Sequence, residues 1–196
     1  KRTSAFEFRG DDGITAEFWL KVPNTSSNRF IFDITGSGAG QIFIVLDDVD
    51  KFQMALGTGS VATPMPLAVL EDVVDGAFNT WNHYAVTVLS SSAGLTYKGF
   101  KNGQLKKTTL STANHTPTIL PATNGLSMTI ASGSFALVPG IAMMTGSIDE
   151  FRFWKKAKTP EEVYNSWFTA VGGGTNKHDS NVALGLYFKF NEGITT

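Results

Sequence analysis

From Ile14 to Val22 the chain alternates without a break. Ile14, Ala16, Phe18, Leu20 and Val22 fall on one side of an extended backbone, and Thr15, Glu17, Trp19 and Lys21 on the other. A side-chain period of two marks a β-strand with one face turned to a core; a helix would scatter these residues around its axis. Similar short runs follow. Phe30 to Ile34 ends at the glycines of 36–40, and Gln41 to Leu46 and Lys51 to Leu56 flank the acidic turn Asp47-Asp48-Val49-Asp50. Trp81 to Leu89, Leu95 to Lys101, Gln104 to Leu110, Leu126 to Ala131 and Ser147 to Trp154 complete the set. Asn102-Gly103, between two of these runs, suits a two-residue hairpin, because both central residues of a type I′ turn need positive φ. Many short strands separated by turns predict an all-β fold, a two-sheet antiparallel sandwich or jelly roll.

One segment reads differently. Thr159-Pro160-Glu161-Glu162 is a capping box with proline at the first helical position. It predicts one short helix near residues 160–168. Val163 and Trp167, four apart, share a face and would dock that helix onto the sandwich. Asn114 to Asn124 and Val61 to Pro66 contain prolines and no periodicity, and read as surface loops. The glycines at 172–174 lack the strand, helix and Lys-Ser/Thr of a phosphate-binding loop, so residues 171–180 read as a hinge. Residues 1–170 then form one domain, and 181–196 either close it or begin a following module.

A chain of 196 residues with 42% hydrophobic side chains can build one sizeable core. Charged residues make up 17% and the net charge is -1, so the concentrated basic surface that nucleic acid requires is missing. Lys106 and Lys107, with Lys98 and Lys101 nearby, read as a solvated hairpin guarding a sheet edge. Cysteine is absent, which removes disulfides, zinc-thiolate sites and cysteine nucleophiles. No run reaches the 18 apolar residues of a membrane-spanning helix, so membrane insertion is not expected.

Five segments in order resemble the laminin G-like and pentraxin-like, or concanavalin A-like, jelly rolls. Phe6-Glu7-Phe8-Arg9-Gly10-Asp11 is similar to their opening Leu-x-Phe-Asp-Gly strand, and Ile14 to Lys21 to their Thr-Ile-Ser-Phe-Trp-Val-Lys strand. Trp81 to Val88 resembles Trp-His-His-Val-Ala-Val-Thr. Phe100 to Leu105 resembles Tyr-Val-Asn-Gly-Lys-Leu, and Gly146 to Trp154 resembles Gly-x-Ile-Asp-Glu-Val-Arg-Ile-Trp followed by a capped helix. Leu184 to Gly193 is similar to a segment that normally begins such a module, which points to a multi-module parent chain.

The resemblance implies a calcium ion as the one candidate cofactor. The matching positions are Gly10, Asp11 and Asp12 beside the first strand and Asp149 in the late strand. Asp47, Asp48 and Asp50 form a second, weaker candidate, an acidic turn that reads more readily as a solvated one. No catalytic residue is assigned. The Glu-x-Asp-x-x-Glu strand of glucanases with this architecture has no counterpart, and Asp149 and Glu150 read as strand-end structure with a salt bridge to Arg152. His83, His115 and His178 fit no metal spacing, and His83 reads as a satisfied packing residue. Trp19, Trp81 and Trp154 are expected mostly in the core and Trp167 under the helix, leaving few aromatics for sugar. The expected function is therefore a non-catalytic module that binds a glycan or glycoprotein, extracellular, at a cell surface or on a virion. A structural module contacting neighbouring subunits of a virion or surface layer is the alternative, and a glycoside hydrolase ranks last.

Overall fold

The computed structural model describes residues 8–9, 12–24, 28–36, 40–47, 51–57, 68–74, 76–112, 119–120, 127–133, 143–171 and 182–191. In chain order the elements are β1 (Phe8–Arg9), β2 (Ile14–Lys21), β3 (Arg29–Gly36), β4 (Gly40–Leu46), β5 (Phe52–Gly57) and β6 (Ala68–Leu70). There follow β7 (Asn82–Ser91), β8 (Gly94–Lys101), β9 (Gln104–Ser111), β10 (Ile119–Leu120), β11 (Ser127–Ile130), β12 (Ser147–Trp154), α1 (Pro160–Ser166) and β13 (Leu184–Phe188). A six-stranded sheet runs β13-β12-β2-β7-β8-β9 and a five-stranded sheet β11-β3-β4-β5-β6, with every pairing antiparallel. This is the expected jelly-roll sandwich of concanavalin A-like type with one short helix.

Alternation builds the core between the sheets. Ile14, Ala16, Phe18, Leu20 and Val22 from β2 and its exit meet Tyr84, Val86 and Val88 from β7, and Ile42, Ile44, Phe52 and Met54 from the opposite layer. Phe18 anchors the two layers: it packs edge-on against Phe52 at 5.9 Å and stacks on Phe151 at 6.3 Å. Such offset and T-shaped pairs favour the negative ring face meeting a positive ring edge.

The Asn102-Gly103 turn forms as expected, with φ 48 and 79 at its two residues and Lys101 paired with Gln104. The capping box is present in full, Glu162 N–H donating to the Thr159 hydroxyl and Thr159 N–H to the Glu162 carboxylate. Two expectations need correction. Ile119 and Leu120, within the segment read as a surface loop, pair with Arg9 and Phe8. Trp81 precedes the strand it was placed in, and it is exposed instead of buried. Residues 61–66, and the hinge apart from Val171, lie outside the described residues. β13 pairs with β12 at the edge of the six-stranded sheet.

Candidate functional site

The outer face of the six-stranded sheet carries what the alternation sent away from the core: Thr15, Glu17 and Trp19 on β2, His83, Ala85 and Thr87 on β7, Phe100 on β8, Arg152 and Trp154 on β12. α1 and the segment leading into it lie across the middle of this face, so Thr15, Glu17, His83, Thr87 and Arg152 are all buried. Val163 seats the helix on Ala85 and Phe100.

Charge ties the helix down. The Lys158 ammonium donates to Glu17 Oε1 at 2.8 Å and to the Ser166 hydroxyl at 3.1 Å, and lies 3.9 Å from the centre of the Trp154 ring. Trp154 Nε1–H donates to Glu17 Oε2 at 2.9 Å. Arg152 stands 3.9 Å from the same Glu17 oxygen and donates from Nη2 to the Thr169 carbonyl at 2.8 Å and to Glu150 at 2.9 Å. One buried carboxylate therefore serves two cations, one holding the chain before α1 and the other the chain after it. Burial pulls the Lys158 ammonium below the ordinary lysine range, against the opposing pull of Glu17.

Glu150 sits in a β-bulge of β12, with φ 50, where the pairing register with β2 shifts between Asp149 and Arg152. The Tyr187 hydroxyl donates to its carboxylate. Burial works against ionisation of Glu150, but the Tyr187 and Arg152 hydrogen bonds outweigh it and hold the carboxyl below its usual range.

Beyond the C-terminal end of α1 the covering ends and an aromatic group begins. Trp19 and His83 face each other across the β2–β7 ladder, with ring centres 5.8 Å apart. Trp167 lies over both, at 5.8 and 6.1 Å, and Phe168 packs edge-on against Trp167 at 5.5 Å. Trp81 stands two residues before His83, just ahead of β7. Trp81 is 45% exposed and Phe168 64%, while Trp19 and Trp167 are half-buried. Of the three tryptophans expected in the core, only Trp154 is fully buried, and it lies on the outer face beneath Lys158. Gly103 makes room for Trp167: a Cβ on Gly103 would stand 2.3 Å from the indole.

His83 is buried at 1% exposure, yet neither ring nitrogen meets a hydrogen-bond partner. It packs as expected but is not satisfied. Burial depresses its pKa from 6.5 to about 4, with Glu17 pulling the other way, so the imidazole is neutral near pH 7. The sequence offered no signal for this, because the partners that surround His83 come from β2 and from beyond α1.

The calcium candidates are dispersed. Asp12 precedes β2, whereas Asp149 pairs with Trp19 near its far end. Seven residues of extended chain place the two about 20 Å apart, too far to share one ion. Asp149 Oδ1 accepts from Glu150 N–H. Asp47 is buried, its two carboxylate oxygens accepting from Lys51 N–H and the Gln53 side chain, which closes the turn. Gly10, Asp11, Asp48 and Asp50 lie outside the described residues, and among the described residues no three acidic or histidine side chains cluster as for a metal. The expected Glu150–Arg152 ion pair is present.

A family model described as the concanavalin A-like lectin/glucanases superfamily matches residues 2–164. No curated protein matches the chain by sequence. Among solved structures, a Bacteroides ovatus protein with an inferred carbohydrate-binding role superposes with TM-score 0.59 at 17% identity, over 93% of this chain and 46% of its own. The chain thus spans less than half of that protein. The CBM40 module of Ruminococcus gnavus IT-sialidase, bound to α2,3 sialyllactose, gives 0.53 at 14% identity, covering 80% of this chain and 83% of the module. Tailspike protein 2 of Escherichia coli O157:H7 bacteriophage CAB120 gives 0.54 at 13% identity, covering 93% of this chain and 24% of the tailspike. At these identities the likeness is one of fold.

Proposed function

The chain belongs to the concanavalin A-like lectin/glucanases superfamily, and from that premise we propose that it is a non-catalytic carbohydrate-binding module of a larger extracellular or particle-associated protein. The observation that carries this reading is the aromatic group left open beside α1, with Phe168 exposed against Trp167 and Trp19, and with Trp81 exposed just ahead of β7. Sugar rings present apolar C–H faces rimmed by hydroxyls, and ligand sites combine aromatic walls with a few placed polar groups. The names of the Bacteroides ovatus and Ruminococcus gnavus structures support the same class.

Glycoside hydrolysis would need two free carboxyl groups roughly 5 to 10 Å apart across the sugar. On this face Glu17 is committed to Lys158 and Trp154, and Glu150 to Arg152 and Tyr187. Both carboxylates hold structure, which favours binding over turnover.

A glycan array probed with the purified chain, with and without added calcium, tests the reading. Selective binding that weakens in Trp81→Ala supports it, and no binding to any glycan in either condition refutes it. The tailspike likeness favours a second reading, a structural part of a virus particle. In that case the chain cosediments with particles and ignores free glycans.

A further inference from the structure

We propose that His83 is the ligand's hydrogen-bonding partner: a ring nitrogen of His83 receives a hydroxyl of a neutral hexose seated against Trp19, and Trp167 covers the place in the free protein. This rests on the carbohydrate-binding reading above and names the residue that would set its specificity.

His83 points away from the core, because its chain neighbour Tyr84 fills the sandwich. Its backbone is fully engaged, His83 N–H donating to the Asn102 side chain at 2.9 Å and the His83 carbonyl accepting from Asn102 N–H at 2.8 Å. Only the ring is left without partners, and it is almost wholly buried. A buried polar group with no partner is costly, and an apolar side chain of similar size would pack there at less cost. The position therefore suits a group that arrives from outside.

The surroundings narrow what that group is. A neutral imidazole offers one donor and one acceptor on opposite sides of its ring, and a sugar hydroxyl can pair with either. Trp19 and Trp167 flank the ring with flat apolar faces suited to a pyranose. Among the described residues, an anionic ligand finds no free cation beside His83. The two that influence it electrostatically, Arg152 and Lys158, are occupied by Glu17, Glu150, Thr169 and Ser166. Trp167 is the ring that the ligand would displace: it lies just past the last turn of a seven-residue helix whose single buried residue is Val163.

Titration calorimetry with the strongest neutral glycan from an array separates the outcomes. His83→Phe keeps the shape and removes both nitrogens, and it is expected to lower affinity about tenfold or more. Equal affinity in wild type and His83→Phe would overturn the assignment while leaving the carbohydrate-binding reading intact. Wild type that binds no neutral glycan overturns the assignment as well. The ring ¹⁵N resonances of His83 in the wild-type protein give a second readout: a shift on adding the glycan is expected, and unchanged resonances at saturation would refute direct contact.

Discussion

The carboxylate of Glu17 accepts a hydrogen bond from the Lys158 ammonium at 2.8 Å, across 141 positions of chain, and both groups are buried. The pair fastens the approach to α1 onto the middle of the six-stranded sheet. Arg152, drawn to the same carboxylate, fastens the exit through the Thr169 carbonyl. The aromatic group at residues 167 and 168 is thereby held where the sheet presents Trp19 and His83.

Glu17→Gln would leave Lys158 and Arg152 buried around a neutral side chain. Breaking one side of a buried ion pair costs about 3 to 5 kcal/mol, because the remaining charge is uncompensated. Urea unfolding at pH 7 is expected to show a loss of that size. A loss below about 1 kcal/mol would mean that water reaches the pair.

Gly103→Ala tests the seat of Trp167. Gly103 adopts φ 79, and the added Cβ would stand 2.3 Å from the indole. Left-handed strain and overpacking together predict a loss of about 2 to 4 kcal/mol. The Trp167 emission should shift to the red as the ring is pushed into water, read against a Trp167→Phe control.

His83 makes stability depend on pH. Its folded pKa of about 4 lies below its ordinary 6.5, chiefly through burial. Protonation thus favours the unfolded chain. The contribution of the neutral imidazole is complete above pH 6.5 and is lost as pH falls toward 4, about 3 kcal/mol in all. The difference in unfolding free energy between wild type and His83→Phe, measured at pH 7 and 4.5, should move in favour of the variant at the lower pH. A constant difference would show that the ring titrates in the fold as it does in the unfolded chain.

Trp81→Ala removes an exposed ring, so stability should change by no more than about 0.5 kcal/mol. If Trp81 belongs to a glycan site, affinity should fall about tenfold, the size of effect typical of an aromatic anchor. Calorimetry against the preferred glycan measures it, with thermal unfolding as the control.

The strands were legible because their cause is local. Alternation along 14–22 placed Phe18 in the core and Glu17 opposite it, positive φ at Asn102 and Gly103 followed from residue type, and the Thr159–Glu162 box marked its helix. The outer face was less legible. Trp81 is open where a core was expected, and His83 packs as expected but leaves both ring nitrogens without a partner. Whether an outward side chain meets water depends on what crosses above it, and a segment far along the chain decides that.

By itself, the sequence determined which residues face the sandwich interior, where the chain turns and where its helix starts, since period, turn chemistry and capping act over a few residues. Tertiary structure alone decided that Glu17 would join Lys158 and Arg152, that His83 would be enclosed by Trp19 and Trp167, and that Asp12 and Asp149 would stand at opposite ends of β2. Those outcomes depend on cross-strand register and on where α1 lands, and both are set by the packing of distant segments.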